Sequence, residues 1–526
     1  MITKPFSNTK VSIVAVAVVI LILLTGYLGN SPSEGPTDRI ELSPTEMSER
    51  ANELFRSFGY RDRPAERWSE YRYEHTLDGS HRLFYLERQS LDHFPTVIDG
   101  RSIVADSELR PGERRIAFDS KGRMVEFAVR FPKTYDSSEL PNKFDWSTAF
   151  TAAGLDLAAF TAIDPAWTPI SPADEYLAWT GKLPDLPDAS VRIEGSTFRG
   201  QMTNFKIVFP WIEPEQERPP APTTKDRLLI SLSLVAIAVF IFLVARRVWS
   251  QFGGQDSNVR SQLMLALVTF VTVFIGQVAS TPQVPAFGPI TERTLHAAII
   301  SLAAAAIVWT LFAVAASVLS QKSRELLTSW NSVVSGALFT RSIGNDSLIG
   351  LLGGSFIGLS IFTGNSNSNA AHQLGSVSGL ILSPFGTTIL DIGWAIVAAT
   401  FAFFLFSILC VVVREPRLAG ILMLVLLIVF GWLAIVPNEG DLRTVVAAAV
   451  GVSFVVSRFG LLSTILTFVT AKLVINGSLM LGLYSSSTIA VAISCVVITI
   501  LLVFGVLLSL RGNSDRLSDS DQRAAI

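Results

Sequence analysis

The sequence predicts a membrane protein in which an all-α helical bundle of about ten transmembrane helices carries an extracytoplasmic α+β domain. From about residue 228 to residue 510 the chain is a series of apolar runs separated by short polar loops. Each membrane crossing needs roughly 20 apolar residues. Only 16% of the residues are charged and the mean hydropathy is +0.45, whereas soluble domains have about 25% charged residues. Before this region lies a long polar segment with ordinary globular patterning.

Residues 1–29 are predicted to form a signal anchor. Lys4 and Lys10 precede or begin an apolar run that extends to residue 29, and no small-x-small cleavage site closes that run. A cleaved signal peptide is the alternative. Because cytoplasmic segments are enriched in lysine and arginine, the two lysines predict a cytoplasmic N-terminus. The polar segment that follows is therefore expected outside the cytoplasm.

Residues 30–212 predict an extracytoplasmic α+β domain with a weak internal repeat. Each half opens with a short helix, over residues 48–60 and residues 146–156. Each half closes with a hairpin of alternating polarity, over residues 114–132 and residues 191–210. A helix followed by a curled antiparallel sheet, twice over, predicts two modules that resemble the PepSY or cystatin-like type.

Local signals mark the ends of these elements. Ser48 and Asp145 are predicted N-caps, since their side-chain oxygens can accept the first free N–H groups of a helix. Gly59 and Gly154 are predicted C-terminal stops. The first hairpin is expected to turn at Gly122.

A proline-rich linker over residues 213–225 leads to a polytopic membrane domain over residues 226–511, and a disordered cytoplasmic tail is predicted over residues 512–526. Hydropathy predicts nine spans in this domain, and the signal anchor is the tenth. The nine spans cover residues 228–244, 263–278, 297–318, 348–362, 388–413, 418–436, 444–456, 461–481 and 487–510.

The charges of the loops support this topology independently of hydropathy. When the spans alternate from an outside start, most loop arginines and lysines fall on the inner side. The outer loops hold only Arg293 and Arg443. By the positive-inside rule, both termini of the chain are expected in the cytoplasm.

An amphipathic helix is predicted over residues 320–342, either lying at the inner membrane surface or capping the bundle from the cytoplasmic side. Leu326, Leu327, Trp330 and Val334 recur there at helical spacing with polar residues between them. Trp330 is the candidate interface anchor, because an aromatic ring with one polar edge suits the boundary between bundle and headgroups.

Two ionisable residues inside the predicted spans form a candidate intramembrane polar pair. Lys472 lies near the middle of its span with Asn476 one turn later, and Asp391 lies near the start of another span. Each charge would cost a few kcal/mol at depth if it were alone. In the alternative interpretation Asp391 is interfacial and Lys472 extends toward water. The polar loop over residues 364–386 is either a re-entrant hairpin or an outer loop folded over the bundle.

The sequence contains no catalytic signature that completes a site. Glu292, Arg293 and His296 cluster at one span, but an intramembrane metalloprotease needs further ligands from several helices. Kinase and nucleotide-binding motifs are absent. No cofactor and no metal site are predicted. A net charge of -2 gives no reason to expect nucleic acid as a partner, and the two cysteines, Cys410 and Cys495, both fall in apolar runs.

Several runs resemble those of a known family. FDWSTAFTAAGLDLAAFTAIDPAWTP, followed by FRGQMTNFKIVFPW, resembles the extracytoplasmic part of large bacterial serine/threonine-kinase-related membrane proteins. The membrane half is similar at LLTSWNSVVSGALFTRSIGNDSLIG and at LRTVVAAAVGVSFVVSRFGLLS. The matching positions of the first membrane run are Ser329, Trp330, Gly336, Gly344, Asp346 and Gly350.

The chain also departs from this family. Asn345 and Ser332 stand where the family has arginine, and the kinase domain that precedes the first span in the relatives has no counterpart in the ten residues before residue 11. The resemblance therefore implies the membrane-and-ectodomain module alone and transfers no catalytic residue. It also implies a bacterial protein of the inner (cytoplasmic) membrane.

These observations predict a non-enzymatic sensory, accessory or scaffold protein with an extracytoplasmic binding domain. Its expected partners are membrane lipid and other membrane proteins or a cytoplasmic signalling protein. The alternative is a transporter or intramembrane hydrolase that uses Lys472, Asp391 and the loop over residues 364–386.

Overall fold

The computed structural model describes residues 7–29, 40–75, 81–92, 94, 109–132, 143–168, 170–210, 259–280, 287–319, 324–363, 380–435, 442–483 and 489–524. These residues form an antiparallel sheet domain and a helical bundle. The predicted linker over residues 213–225 and the predicted span over residues 228–244 lie outside the described residues, as does most of the loop over residues 364–386.

The sheet domain follows helix α1 (Asn8–Gly29) and contains helices α2 (Pro44–Ser57) and α3 (Trp146–Ala152) with eight strands. The strands are β1 (Glu66–His75), β2 (His81–Ser90), β3 (Glu113–Asp119), β4 (Met124–Val129), β5 (Thr161–Ile163), β6 (Glu175–Leu183), β7 (Leu186–Phe198) and β8 (Gln201–Val208). Their order is β1-β2-β3-β4-β8-β7-β6-β5. Two four-stranded meanders, each preceded by its own helix, therefore meet where β4 pairs with β8, in agreement with the predicted α+β class.

Helix α2 starts one turn earlier than the sequence analysis predicts, because a capping box fixes its start at Ser43 and not at Ser48. The Glu46 N–H donates to the Ser43 hydroxyl (3.3 Å), and the Ser43 N–H donates to the Glu46 carboxylate (2.7 Å). Helix α3 is capped by Asp145, as expected. Gly154 follows α3 with a φ of +69°, the left-handed conformation that a helix stop favours.

The core of the sheet domain lies between the two helices and one face of the sheet. Phe55 of α2 packs on Phe127 of β4, and Phe150 of α3 packs on Phe205 of β8. All four rings are fully buried. Burial of each such side chain contributes about 1.5–3 kcal/mol, so the two central strands hold both helices to the sheet.

The opposite face of the sheet carries charged side chains that pair across strands. Arg88 and Glu113 form an ion pair in which each side chain is only 2% exposed. Glu126 lies beside Arg115 and Lys206. Burial alone would raise the pKa of Glu126, but these two cations hold it below its ordinary value. Mutual pairing thus explains how charged residues remain on a face with little exposure.

The bundle consists of α1 and nine further described helices. They are α4 (Val259–Ser280), α5 (Phe287–Leu319), α6 (Thr328–Val334), α7 (Arg341–Thr363), α8 (Pro384–Val413), α9 (Pro416–Ile435), α10 (Leu442–Phe459), α11 (Leu461–Leu483) and α12 (Ile489–Ala524). Seven of the described helices are long and apolar enough to cross a membrane, namely α1, α4, α5, α8, α10, α11 and α12. Helix α9 has a shorter apolar stretch, Pro416–Gly431, and α7 packs among the long helices.

The amphipathic helix predicted over residues 320–342 is interrupted. A 3₁₀ turn over Arg324–Leu327 leads into the seven-residue α6, which ends before Gly336. Gly336 has a φ of +84°, a conformation that a continuing helix does not allow. Helix α7 then begins at Arg341, seven residues before the predicted span. The single predicted helix therefore corresponds to α6 and the first residues of α7, which are separated by a turn.

The tail over residues 512–526 was predicted to be disordered, but most of it is helical in the structure. Helix α12 continues beyond its apolar part to Ala524. Propagating an existing helix adds one hydrogen bond per residue, whereas starting one is costly. A polar sequence that would not start a helix therefore continues this one.

Helices α7 and α11 pack closely because α7 presents glycines at every fourth position. Gly350, Gly354 and Gly358 all face α11. At Gly354 an added Cβ would lie 2.5 Å from the carbonyl oxygen of Thr467 and 2.8 Å from the backbone nitrogen of Ala471. Small residues at this spacing allow membrane helices to approach until their backbones touch.

Candidate functional site

Asp391, Asn476 and Lys472 come together between α8 and α11. The Asn476 side-chain N–H donates to Asp391 Oδ2 at 2.8 Å. The Nζ atom of Lys472 lies 3.7 Å from Asp391 Oδ1. The carboxylate is 14% exposed and the lysine side chain 43% exposed. The structure thus brings the two ends of the candidate polar pair together, with Asn476 as a third member.

Helical spacing explains this cluster. Lys472 and Asn476 are four residues apart in α11 and therefore lie on the same face, one turn from each other. Asp391 is in the second turn of α8, which begins at Pro384 and not near residue 388 as predicted. The Asp391 carboxylate accepts a hydrogen bond from the Asn476 amide and lies close to the Lys472 ammonium group. The lysine compensates its negative charge, and the amide satisfies one of its hydrogen-bond acceptor positions.

Further polar groups lie near the same end of the neighbouring helices. Thr387, one turn before Asp391, is 6% exposed, and Ser494 of α12 is 2% exposed. Neither hydroxyl has a hydrogen-bond partner among the described atoms. Ser494 lies beside Gly477, the residue after Asn476. Together these groups form a polar layer across α8, α11 and α12.

The sheet domain contacts the bundle at the end nearest to this layer. Leu380, Ile381 and Ala490 are buried in the same hydrophobic cluster as the core of the sheet domain. Leu380 and Ile381 precede α8 directly, and Ala490 is the second residue of α12. Two of the three helices that form the polar layer therefore begin in contact with the sheet domain. We call this end of the bundle the sheet end.

Trp330 lies at the opposite end of the bundle. Its ring is 6% exposed, and its indole N–H donates to the backbone oxygen of Ser261 at 3.3 Å. Ser261, near the start of α4, also donates from its hydroxyl to Asn331 at 2.9 Å. The other end of α4 belongs to the sheet end, where Ser383 donates to the carbonyl of Ala279. Trp330 thus anchors α6 to α4 by packing and one hydrogen bond.

The sheet domain has a buried polar network of its own beneath α2. Tyr85 and Gln89 donate to the two oxygens of Glu87, at 2.9 Å and 2.6 Å. Gln89 in turn donates to Asn52 of α2 and accepts from Arg114. Burial raises the pKa of Glu87 above its ordinary value, although the hydrogen bonds act in the opposite direction.

Other candidate residues do not assemble into a site in the described structure. His296 is exposed, and the side chains of Glu292, Arg293, His75, His81 and His93 lie outside the described part. Among the described residues, no group of three or more His, Cys, Asp or Glu side chains could hold a metal ion.

No protein-family model matches this chain, and no curated protein or solved structure is significantly similar to it. The geometry of the chain is therefore what bears on its function.

The sequence analysis missed two features of this geometry. They are the contact of Leu380 and Ile381 with the sheet domain and the burial of Asp346. The glycine repeat of α7 was visible as Gly350-x3-Gly354-x3-Gly358 and could have predicted the close α7–α11 contact.

Proposed function

We propose that the protein is a membrane-embedded sensory or accessory protein, in which the sheet domain binds a ligand or partner outside the cytoplasm and transmits that state to the bundle. The contact of Leu380, Ile381 and Ala490 with the sheet-domain core carries this proposal. A domain attached only by a linker could move without affecting the bundle. Here a shift of the sheet domain also shifts the first turns of α8 and α12.

The polar layer is the part of the bundle that this coupling would change. Asp391 lies in the second turn of α8, directly after the segment that contacts the sheet domain. A displacement at Ile381 would change the distance between Asp391 and Lys472, which is already 3.7 Å. Because the strength of an ion pair depends on distance and exposure, such a displacement would change the energy of the Asp391–Lys472 pair.

Hydrogen exchange measured by mass spectrometry tests the coupling. In the full-length protein, Ile381→Glu should increase exchange at the start of α8 and leave the strands β3 and β4 protected. Ile170→Glu is the matched control, because Ile170 is an exposed isoleucine of the sheet domain (40% exposed). Unchanged exchange in α8 with Ile381→Glu would show that the contact transmits nothing to the bundle.

We further propose that the sheet end faces away from the cytoplasm and that α6 lies at the cytoplasmic surface. Support comes from the loop charges. In a variant without Cys410 and Cys495, Lys121→Cys should react with an impermeant thiol reagent in intact cells and Ser335→Cys should not. Both positions are exposed, whereas the neighbouring Ser120 is buried and would be a poor reporter. The reverse labelling pattern would invert the topology.

A transporter or intramembrane hydrolase is the competing function, favoured by the half-exposed lysine within a membrane helix. Affinity capture of the tagged protein from membranes separates the two classes. A sensory or accessory protein should retain a signalling protein, and Ile381→Glu should reduce its recovery relative to Ile170→Glu. Recovery that is independent of Ile381, together with solute uptake that needs Lys472, would favour transport.

A further inference from the structure

A buried carboxylate lies at the end of the bundle opposite the sheet end. It takes no part in the proposed coupling between the sheet domain and the bundle. Asp346 is 8% exposed and lies in the second turn of α7. The hydroxyls of Ser329, before α7, and of Ser463, on α11, lie beside its carboxylate and carry no charge. Ionisable side chains inside membrane proteins are rare and costly, and they mark ion or proton sites more often than other positions do.

The hydroxyls around Asp346 have unused coordination capacity. Ser463 is completely buried and faces the carboxylate, yet its Oγ makes no hydrogen bond of normal geometry to a described atom. The Oγ of Ser329 lies 2.7 Å from that of Ser342. Ser342 is four residues before Asp346, on the same face of α7, and is exposed. One carboxylate and three hydroxyl oxygens therefore lie together near the start of α7, and Ser342 is exposed there.

We propose that an alkali-metal cation binds at this group of oxygens, through the Asp346 carboxylate and the hydroxyl oxygens of Ser329, Ser342 and Ser463. Hard cations prefer oxygen ligands. One carboxylate balances one positive charge, whereas calcium sites combine several carboxylates. In the described part of the chain no such group of acidic residues exists. The bound cation neutralises Asp346 and joins α6, α7 and α11 at one point.

A purely structural role of Asp346 has a different signature. If the carboxylate only ties three helices together by hydrogen bonds, its removal lowers stability equally in every salt. A ligand that binds only the folded protein raises stability with its concentration. The identity of the cation therefore distinguishes a binding site from a structural contact.

The test is thermal unfolding of the purified full-length protein in an uncharged detergent. Sodium chloride, potassium chloride and N-methylglucamine chloride are compared at equal ionic strength. The Tm of the wild type should be higher in one of the alkali salts than in N-methylglucamine and should rise with its concentration. Asp346→Asn should remove this difference. Asp391→Asn, which changes a carboxylate at the sheet end, should retain it.

Equal Tm values of the wild type in all three salts would overturn the proposal, as would an undiminished response in Asp346→Asn. Should Asp346→Asn fail to fold, Ser463→Ala removes one oxygen ligand and keeps the charge. It should move the midpoint of the alkali response about tenfold toward higher concentration, and equilibrium binding of a radioactive isotope of the stabilising cation should weaken in parallel. An unmoved midpoint in Ser463→Ala would likewise contradict the site.

Discussion

Replacing the two ends of the intramembrane ion pair should have unequal effects, because they differ in exposure. The side chain of Asp391 is 14% exposed and that of Lys472 is 43% exposed, with 3.7 Å between the charged atoms. At this distance and an effective dielectric constant of about 20, the attraction is about 4–5 kcal/mol. Screening at the half-exposed lysine reduces it, so that we expect a coupling energy of roughly 2 kcal/mol.

Lys472→Met should be the more damaging single change. It leaves the enclosed Asp391 carboxylate with the Asn476 amide as its partner in the cluster. A lone charge costs roughly 2.5–3.5 kcal/mol at the centre of a membrane helix and less near its end, where Asp391 lies. We expect a loss of about 2–3 kcal/mol. Asp391→Asn leaves a lysine that can extend toward water, for a loss of about 1 kcal/mol. The double variant removes both charges, and with a coupling energy of roughly 2 kcal/mol it should lose about 1–2 kcal/mol instead of the about 3–4 kcal/mol that the two single losses would give together.

The four proteins form a double-mutant cycle. Their free energies of unfolding can be measured by reversible titration with sodium dodecyl sulfate in mixed micelles, followed by circular dichroism. If the double variant loses the sum of the two single losses, Asp391 and Lys472 do not interact. If Asp391→Asn costs more than Lys472→Met, the argument from exposure is wrong even though the pair exists.

Three further predictions concern packing and pH. Trp330→Ala should cost about 3–5 kcal/mol in the same titration, since the ring is 6% exposed; unchanged stability with lost partner capture would instead assign the ring to recognition. Gly354→Ala places a Cβ 2.5 Å from a carbonyl oxygen of α11 and should cost about 1–3 kcal/mol, whereas the control Gly477→Ala, with 3.5 Å to its nearest neighbour, should be neutral or stabilising. Because the pKa of Glu87 is raised by burial, the folded protein holds this proton more tightly, and its stability falls as pH rises from the unfolded pKa through the folded one. Glu87→Gln should therefore raise the Tm at pH 8 more than at pH 4, and an equal effect at both pH values would contradict the assignment.

Sequence periodicity predicted the elements whose causes are local. The hairpin over residues 114–132 and the Asp145 cap follow from alternation and from a side chain within two residues of its partner. The membrane helices follow from composition alone. Lys472 and Asp391 could be marked as candidates because charge in an apolar run is visible without a fold.

What the sequence analysis did not predict depends on contacts between distant residues. Residues 380–382 are a short apolar stretch next to a polar loop, and nothing local shows that Ile381 packs with the sheet domain. Asp346 lies in the second turn of α7, and Ser463, which lies beside its carboxylate, is more than one hundred residues later in the chain. The break at Gly336 was missed because a single glycine in a helical pattern does not by itself reveal the positive φ that it adopts. In each case tertiary packing overrides the local pattern.

The position of α1 has a consequence for the order in which the protein is assembled. Val11, Val18 and Thr25, spaced by seven residues, are buried in the bundle, and α1 packs against α7, α11 and α12. These helices begin more than three hundred residues after α1 ends. At about 5–20 residues per second, the ribosome needs some tens of seconds to reach them. During this interval α1 lies in the bilayer with its contact face turned to lipid or to the insertion machinery, and the sheet domain folds before its support exists. Helix α1 is therefore made well before it can be enclosed, and a protein truncated before α12 would leave it without one of these three neighbours.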